Sequence, residues 1–454
     1  MNPILKDKMA SIDDSHAKAQ DSDHSFNLPN GRVKRAFYGG RTAAKVGGKA
    51  LMHYAKRPFM CAAARHTAQD EMIRDSAQTL FQGLSLLKGT ALKLAQLLSL
   101  ELDLLPEAAC RELAKAYHQV PPINRALVRK AVHEGLGKPP EEVFQQFDLN
   151  AFAAASIGQV HEAVDHDNTP LAVKIQYPGI AETIESDLSL LHQALRPVIQ
   201  NDQLVPLLSE LSARLHEEVD YHQEADNLTW FSRHLKIKGV RIPEVKPELC
   251  SRTVLSTARM PGVPLDQWLE SHPDQDALDH VAQKLQQIFI TGLYDLHTVH
   301  ADPNPGNFII ADDLTIGLVD FGCIKTLPPA FVAQYRRLTR SAARQQDQDH
   351  FQEMLTMGMI KNEPNEEICE KVQSFGDAFS RWFCKLFKEE KFDFGRHPDF
   401  IAEGKAVMGQ CHRLRRYMTI DPDFIFLDRT RYGLLRLFER MGARVCFRNI
   451  YEWK

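Results

Sequence analysis

The sequence predicts an α+β chain of two unequal lobes, a small one built on β-strands with helical insertions and a larger one that is mainly helical. Three observations carry this. Strand-like runs of small and β-branched residues crowd the stretch from Phe147 to Met260, the text after Lys325 is almost wholly helical, and residues 69–105 repeat apolar side chains at three- and four-residue steps. At 454 residues the chain has room for two or three domains. A composition of 44% hydrophobic and 25% charged residues is that of a globular protein able to bury a core.

Charge and cysteine usage narrow the function. A formal charge of −4 provides no overall cationic field of the kind that marks a nucleic-acid binder. The eight cysteines include no C-x-x-C pair, which argues against a zinc ribbon or a disulfide framework and fits a reducing compartment. No window reaches the apolar length of a membrane span, so the expectation is a cytoplasmic protein whose contact with a membrane is peripheral.

Along the chain, residues 1–30 carry several aspartates and no apolar stretch, and read as a disordered tail. The basic, glycine-containing text GRVKRAFYGGRTAAKVGGKALMHYAKR reads either as a helix packed on the domain or as a surface for anionic lipid. Leu80, Phe81, Leu84, Leu87, Leu94, Leu97 and Leu98 then line one helical stripe, which Pro106 ends. Within it KLAQ sets Lys93 and Gln96 on one helix face, by periodicity alone a solvated polar pair. Helical text continues to GLGKPP, a breaker cluster near residue 140. These signals divide the chain into a tail (1–30), a helical amino-terminal extension (31–140), a strand-bearing lobe with a helical insertion (141–262) and a helical lobe (263–454).

FAAASIGQVHEAV and LAVKIQ, on either side of DHDNTP, predict two strands and a turn. Leu188 to Asn227 is helical, IPEV and SRTVLSTARM predict two further strands, and a long helix follows from about Asp276 to Leu296. The helical remainder is interrupted by one polar, phenylalanine-bearing loop, KEEKFDFGRHPD.

Chemistry-bearing residues fall on this frame in order. AAASIGQV, from Ala153 to Val160, has small residues at its first, third and sixth places and valine at its eighth. That is the spacing of the kinase nucleotide loop G-x-G-x-x-G-x-V, with alanine at two glycine places. Small side chains let backbone approach a polyphosphate, which makes Ala153, Ala154, Ala155, Ser156 and Val160 nucleotide-binding candidates. Lys174 alternates with Val173 and Ile175 in an apolar strand, so its ammonium takes the other face and requires an anionic partner. HEEVDYHQEADN offers Glu217, Glu218, Asp220 and Glu224 on what reads as one helical stretch, and spacing does not choose between them.

Asp302 and Asn307 stand as in H-R-D-x-x-x-x-N, and Asp320-Phe321-Gly322 follows as D-F-G. Asn307 and Asp320 are hard oxygen ligands of the kind Mg2+ takes, and Asp302 is a carboxylate suited to lie beside a transferred phosphate. FIIADDLTIGLVDFG reads as two short strands about a D-D turn, which would fold the two ligands onto one spot. Ala258 to Gly262, including Met260, is the candidate adenine hinge. The order of these parts is that of a bilobal protein-kinase-like fold binding ATP with Mg2+.

The motifs KLAQ, AAASIGQVH, AVKIQYPG, EVDYHQEA and HADPNPGN with DFG resemble those of the UbiB/AarF family of atypical protein-kinase-like proteins, over roughly residues 30–450. The resemblance implies that Lys174 pairs with Glu224, that Asp302 is the catalytic-loop aspartate, and that Asn307 and Asp320 hold magnesium. It also implies that the helix bearing Lys93 and Gln96 covers the nucleotide site beside Glu218 and Asp220. Ala95 departs from the family's K-x-G-Q signature, which puts one methyl group on that covering helix. The implied function is Mg-dependent ATPase or small-molecule or lipid kinase activity supporting isoprenoid-quinone (ubiquinone) biosynthesis. Its partners would be a quinone precursor, anionic lipid or quinone-biosynthesis proteins. A nucleotide-gated binding or chaperone-like module with little turnover keeps every binding residue and is the rival reading. A protein kinase acting in trans is disfavoured, because Ala301 replaces the arginine of H-R-D and no A-P-E follows the DFG.

Overall fold

The computed structural model describes residues 123–155, 157–195, 201–360, 366–414, 417–419 and 421–454. The predicted nucleotide-loop residue Ser156, and the predicted covering residues Lys93 and Gln96 with Ala95, lie outside the described residues, as does the basic stretch 31–57. The chain divides into two compact units, one of residues 1–128 with 182–208 and one of residues 129–181 with 209–454. In the first, the helix Ile184–Leu195 buries Ile184, Leu188 and Leu191 at i, i+4 and i+7, a single apolar stripe. The second carries all the other predicted site residues.

That second unit takes up the chain at Arg129, within helix α1 (Arg125–Leu136), and contains a four-stranded antiparallel sheet in the order β1 (Gln146–Ala155), β2 (Gly158–Val164), β3 (Pro170–Gln176) and β5 (Val254–Ala258). In sequence between β3 and β5 come α2 (Ile184–Leu195) of the first unit, α3 (Asn201–Glu218), of which residues from 209 on belong to the second, then α4 (Tyr221–His234) and the short β4 (Val240–Arg241). Leu171, Val173 and Ile175 are wholly buried on one face of β3, so the period-2 pattern turns Lys174 to the other.

Two strand expectations change. FAAASIGQVHEAV is two strands rather than one, because β1 and β2 pair antiparallel with Ala155 opposite Gly158. A run of small residues has no alternation by which such a turn could be seen. IPEV forms no strand, only a single bridge from Val245 to Thr257, since Pro243 has no N–H to continue a ladder.

Past β5 the chain crosses Arg259–Pro261 to β6 (Val263–Pro264) and the short helix α5 (Leu265–Glu270). Gly262 holds φ +113°, and a Cβ there would stand 2.2 Å from the Ile310 carbonyl oxygen, so only glycine fits. The helix α6 (Gln275–Tyr294) is capped by Asp274, whose carboxylate accepts from the Ala277 amide at 2.8 Å, and buries Val281, Leu285, Ile288 and Leu293. After it come β7 (Thr298–His300), β8 (Phe308–Ile310), β9 (Ile316–Leu318) and β10 (Ile324–Thr326). β8 and β9 form the expected hairpin inside a sheet ordered β4-β9-β8-β6, and β7 pairs antiparallel with β10.

The helices α7 (Pro329–Ala343), α8 (Asp347–Thr356), α9 (Glu366–Phe383), α10 (Phe400–Leu414) and α11 (Pro422–Met441) complete the lobe. Leu338, Met354, Met359, Val372, Phe375, Leu414 and Met418 pack as one apolar cluster between them. The loop read as polar around residue 395 is an aromatic anchor instead. Its strand β11 (Phe392–Asp393) pairs with β12 (Arg444–Val445), and Phe392 and Phe394 are buried against Phe400. Among the described residues no helix is long and apolar enough to cross a membrane.

Two buried histidines tie stability to pH. His161 on β2 is fully buried, with Nδ1 2.8 Å from the Asp148 carbonyl oxygen and Nε2 2.7 Å from the Gln159 amide nitrogen. A carbonyl can only accept, so Nδ1 carries the proton and Nε2 is the acceptor, an arrangement that a second proton would break. Burial lowers the pKa of His161, and likewise that of His350, below the ordinary 6.5. A depressed histidine pKa contributes stability that is fully present above 6.5 and is lost as pH falls below it, because the unfolded chain then binds the extra protons. Denaturant titrations of the wild type and His161→Gln from pH 8 to 5 isolate this contribution, because the carboxyls whose pKa burial raises are common to both and the difference should be constant above pH 7. Below 6.5 the loss should approach about 1.4 kcal/mol per pH unit for each histidine. His161→Gln should flatten part of that slope.

Candidate active site

The face of the sheet opposite its core collects the predicted residues. In the register of β1, β2 and β3, Ala153 lies opposite Val160, Ala155 opposite Gly158, Val160 opposite Lys174 and Gly158 opposite Gln176. Ala153, Ala155, Gly158, Val160 and Lys174 therefore share one face. Ala154 turns its methyl group to the other face, so only its backbone is left to meet a ligand. Gly158 is indispensable to the turn, since a Cβ there would stand 2.3 Å from the Ile175 carbonyl oxygen and 2.8 Å from the Tyr221 hydroxyl.

The acids that read as one helical stretch belong to two helices. α3 ends at Glu218, the chain breaks at Val219, and Asp220 caps α4 by accepting from the His222 amide at 3.1 Å. One turn into α4, Glu224 is buried and takes both of its oxygens to Lys174 Nζ, at 2.9 and 2.8 Å. Asp220 stands instead near Arg252, with Nε to Oδ2 at 3.8 Å. Glu218 lies by the DFG glycine, its Cγ 3.9 Å from where a Gly322 Cβ would be.

Lys174 joins the two lobes of the site. Besides Glu224 it reaches Asp320 Oδ2 at 3.3 Å, and its ammonium sits 5.1 Å from the centre of the Tyr221 ring. Desolvation would discharge this lysine, but the opposing fields of Asp320 and Glu224 outweigh it and hold the pKa well above the ordinary lysine value. For Glu224, burial is the larger influence and pushes the carboxyl upward against the pull of Lys174.

The β8–β9 hairpin folds the metal candidates together. Phe308 pairs with Leu318 and the Val319 amide donates to the Asn307 carbonyl at 3.2 Å, which brings Asn307 and Asp320 to the same end of the hairpin. Asn307 donates through Nδ2 to Asp302 Oδ2 at 2.9 Å, leaving its Oδ1 as the atom available to a cation. Asp320 Oδ1 accepts from the Gly322 amide at 3.0 Å. No group of three or more His, Cys, Asp or Glu able to hold a metal occurs among the described residues. Magnesium beside a nucleotide needs none, because it takes one or two protein oxygens and completes its shell with phosphate and water, a demand the Asn307–Asp320 donor pair fits.

Several residues outside the predicted set fix this geometry. His300 Nε2 donates to the Asp320 carbonyl at 2.5 Å and its ring meets Phe321 edge to face at 5.2 Å. Asn227, on α4, donates to the Phe321 carbonyl at 3.0 Å, and Phe231 packs on the Phe321 ring. The DFG backbone is thus held from the catalytic strand and from α4 at once. Ala301 is buried with its amide on the Cys323 carbonyl at 3.0 Å. Met260 packs its side chain over β9, where a Cβ on Gly317 would lie 2.8 Å from its Cε, so the hinge candidate lies against the hairpin that brings the metal-ligand candidates together.

A β3 lysine paired to a helix carboxylate and facing a DFG aspartate defines a protein-kinase-like ATP site in an α+β bilobal fold. Residues 115–355 match the model of the ABC1 atypical kinase-like domain, and the chain belongs to that family, the one its UbiB/AarF motifs resemble. It is 30% identical over 330 residues to the atypical kinase COQ8B, mitochondrial, of Rattus norvegicus, covering 71% of this chain and 62% of that protein. To the probable serine/threonine-protein kinase abkA of Dictyostelium discoideum it is 26% identical, covering 69% of this chain and 59% of that one. The chain thus spans less than two thirds of the length of either relative. With the atypical kinase COQ8, mitochondrial, of Saccharomyces cerevisiae it shares 26% identity over 96% of this chain and 88% of the other. A Mycobacterium tuberculosis protein solved in complex with erythromycin has the same fold, with a TM-score of 0.58 at 24% identity, covering 85% of this chain and 96% of that one.

Proposed function

We propose that this chain binds Mg·ATP and either hydrolyses it or passes its terminal phosphoryl group to a small or lipid-like acceptor, in support of isoprenoid-quinone biosynthesis. The observation that supports this most directly is the Lys174 ammonium, held by Glu224 at 2.8 Å and by Asp320 at 3.3 Å on the small-residue face of the sheet. An ammonium has three donors, and Glu224 keeps the stem in place while the others turn to the α- and β-phosphates. Asn307 and Asp320 would hold magnesium, which when bound neutralises charge on the β- and γ-oxygens. Asp302, steadied by the Asn307 amide, orients the attacking hydroxyl and accepts its proton. The quinone assignment rests on the motif resemblance, as do anionic lipid and quinone-biosynthesis proteins as partners.

Transfer to protein substrates finds no support in the site. Ala301 removes the arginine that would read an activation-loop phosphate, and only Cys323–Pro328 separates the DFG from α7, too short a span for a regulatory loop. The test is multiple-turnover phosphate release by the purified chain, with and without anionic vesicles, beside the quinone-intermediate profile of a deletion strain. Turnover together with accumulated intermediates is the expected result. Nucleotide binding without turnover under every condition would mean a gated binding module, and an unchanged quinone pool would remove the biosynthetic role.

A further inference from the structure

Tyr221 is buried at 1% exposure, and its hydroxyl has no hydrogen-bond partner among the described residues. Buried hydroxyls without a partner are rare, because each gives up its bonds to water and receives nothing in exchange. The usual reasons for a tyrosine here fail to require the oxygen. Packing against the sheet and attraction of the Lys174 ammonium to the ring face, at 5.1 Å, would both be served by phenylalanine. The position of the oxygen is informative. It lies against Gly158, so close that a Cβ there would come within 2.8 Å, and Gly158 belongs to the face shared by Ala153, Ala155, Val160 and Lys174. What lies over the hydroxyl is Gly158, the first residue of β2, on the face that a polyphosphate would approach.

We infer that the Tyr221 hydroxyl is a phosphate-binding group of the nucleotide site, sharing its proton in a hydrogen bond to a phosphate oxygen of ATP that approaches beside Gly158. A neutral donor suits this place: next to Lys174, Glu224 and Asp320 it adds a hydrogen bond without altering the balance of buried charge. The nucleotide-free protein bears the cost of the unsatisfied hydroxyl, and the ligand removes it.

The inference rests on the nucleotide reading above, and Tyr221→Phe separates the two. The variant keeps the ring, so it should melt at the wild-type temperature or higher without nucleotide, since an orphan polar group has been removed. Its affinity for Mg·ATP by titration calorimetry should fall about tenfold, while adenosine, which has no phosphate, binds both proteins alike. Unchanged Mg·ATP affinity would overturn the inference and leave the nucleotide reading standing. So would a lower melting temperature with ATP and adenosine weakened equally, which is the mark of a structural hydroxyl. Failure of the wild-type chain to bind Mg·ATP would overturn the nucleotide reading itself and the inference with it.

Discussion

Lys174→Met is expected to cut nucleotide turnover by roughly 10²–10³-fold and to destabilise the protein by an amount that grows with pH. The catalytic loss follows from removing the cation that orients the phosphates. The stability loss follows from burial. Lys174 is 12% exposed and Glu224 3%, and their pairing offsets the cost of taking both from water. Methionine fills the space but leaves Glu224 facing Asp320 with no cation between them. Removing one partner of such a pair costs about 3–5 kcal/mol while the remaining charge persists. Glu224, whose pKa burial already raises, relieves that cost by taking up a proton. A carboxyl whose folded pKa is raised binds more protons folded than unfolded, so the deficit of the variant should be small near pH 5 and largest at pH 8. Urea titrations across that range measure it, and a deficit independent of pH would show that Glu224 stays charged throughout.

The second large effect lies away from the site. Arg431 on α11 is 8% exposed and Glu452 is wholly buried, and the guanidinium donates to the Glu452 carboxylate. Glu452 also accepts from the Tyr294 hydroxyl at 2.8 Å and from Asn449 Nδ2 at 3.1 Å. The guanidinium is ringed by Phe289, Tyr335 and Phe383, with its carbon 5.2 to 5.6 Å from their centres, and its Nε has no partner among the described residues. With so little water about, Arg431 depends chiefly on the Glu452 carboxylate, and its field also reaches Asp428. Glu452→Ala should cost about 3–5 kcal/mol in unfolding free energy. The double variant Arg431→Met/Glu452→Leu should recover most of that, because it removes both members of the ion pair rather than stranding one. Equal losses in the single and double variants would mean that packing, not charge, holds this segment.

Much of the site was legible because its parts carry their spacing in short stretches. Asp302 and Asn307 sit in one loop, Asp320 and Gly322 in another, and the period-2 pattern of LAVKIQ alone tells which way Lys174 points. What could not be read depends on where elements break or on residues distant in sequence. Spacing alone does not choose Glu224 among four acids, because it does not show that α3 stops before Asp220; the motif resemblance names it, and the structure places it on Lys174. Ala154 counted as one more small residue until the β1–β2 register turned it away. Tyr221, Asn227 and His300 become site residues only through contacts with Gly158, Phe321 and Asp320, between 20 and 94 positions apart. The buried phenylalanines of KEEKFDFGRHPD stand among charged residues in sequence, and what buries them is Phe400, Phe438 and Phe447.

The account turns on Asp320 and Asn307 sharing a magnesium ion beside a nucleotide held by Lys174. Titration calorimetry of ATP into the wild-type chain and into Asp320→Asn, each with and without magnesium, tests this most directly. The variant leaves Lys174 on Glu224, so it should melt as the wild type does. The account predicts that magnesium strengthens ATP binding to the wild type and has no such effect on the variant. Magnesium-dependent binding of equal strength in both proteins would contradict it.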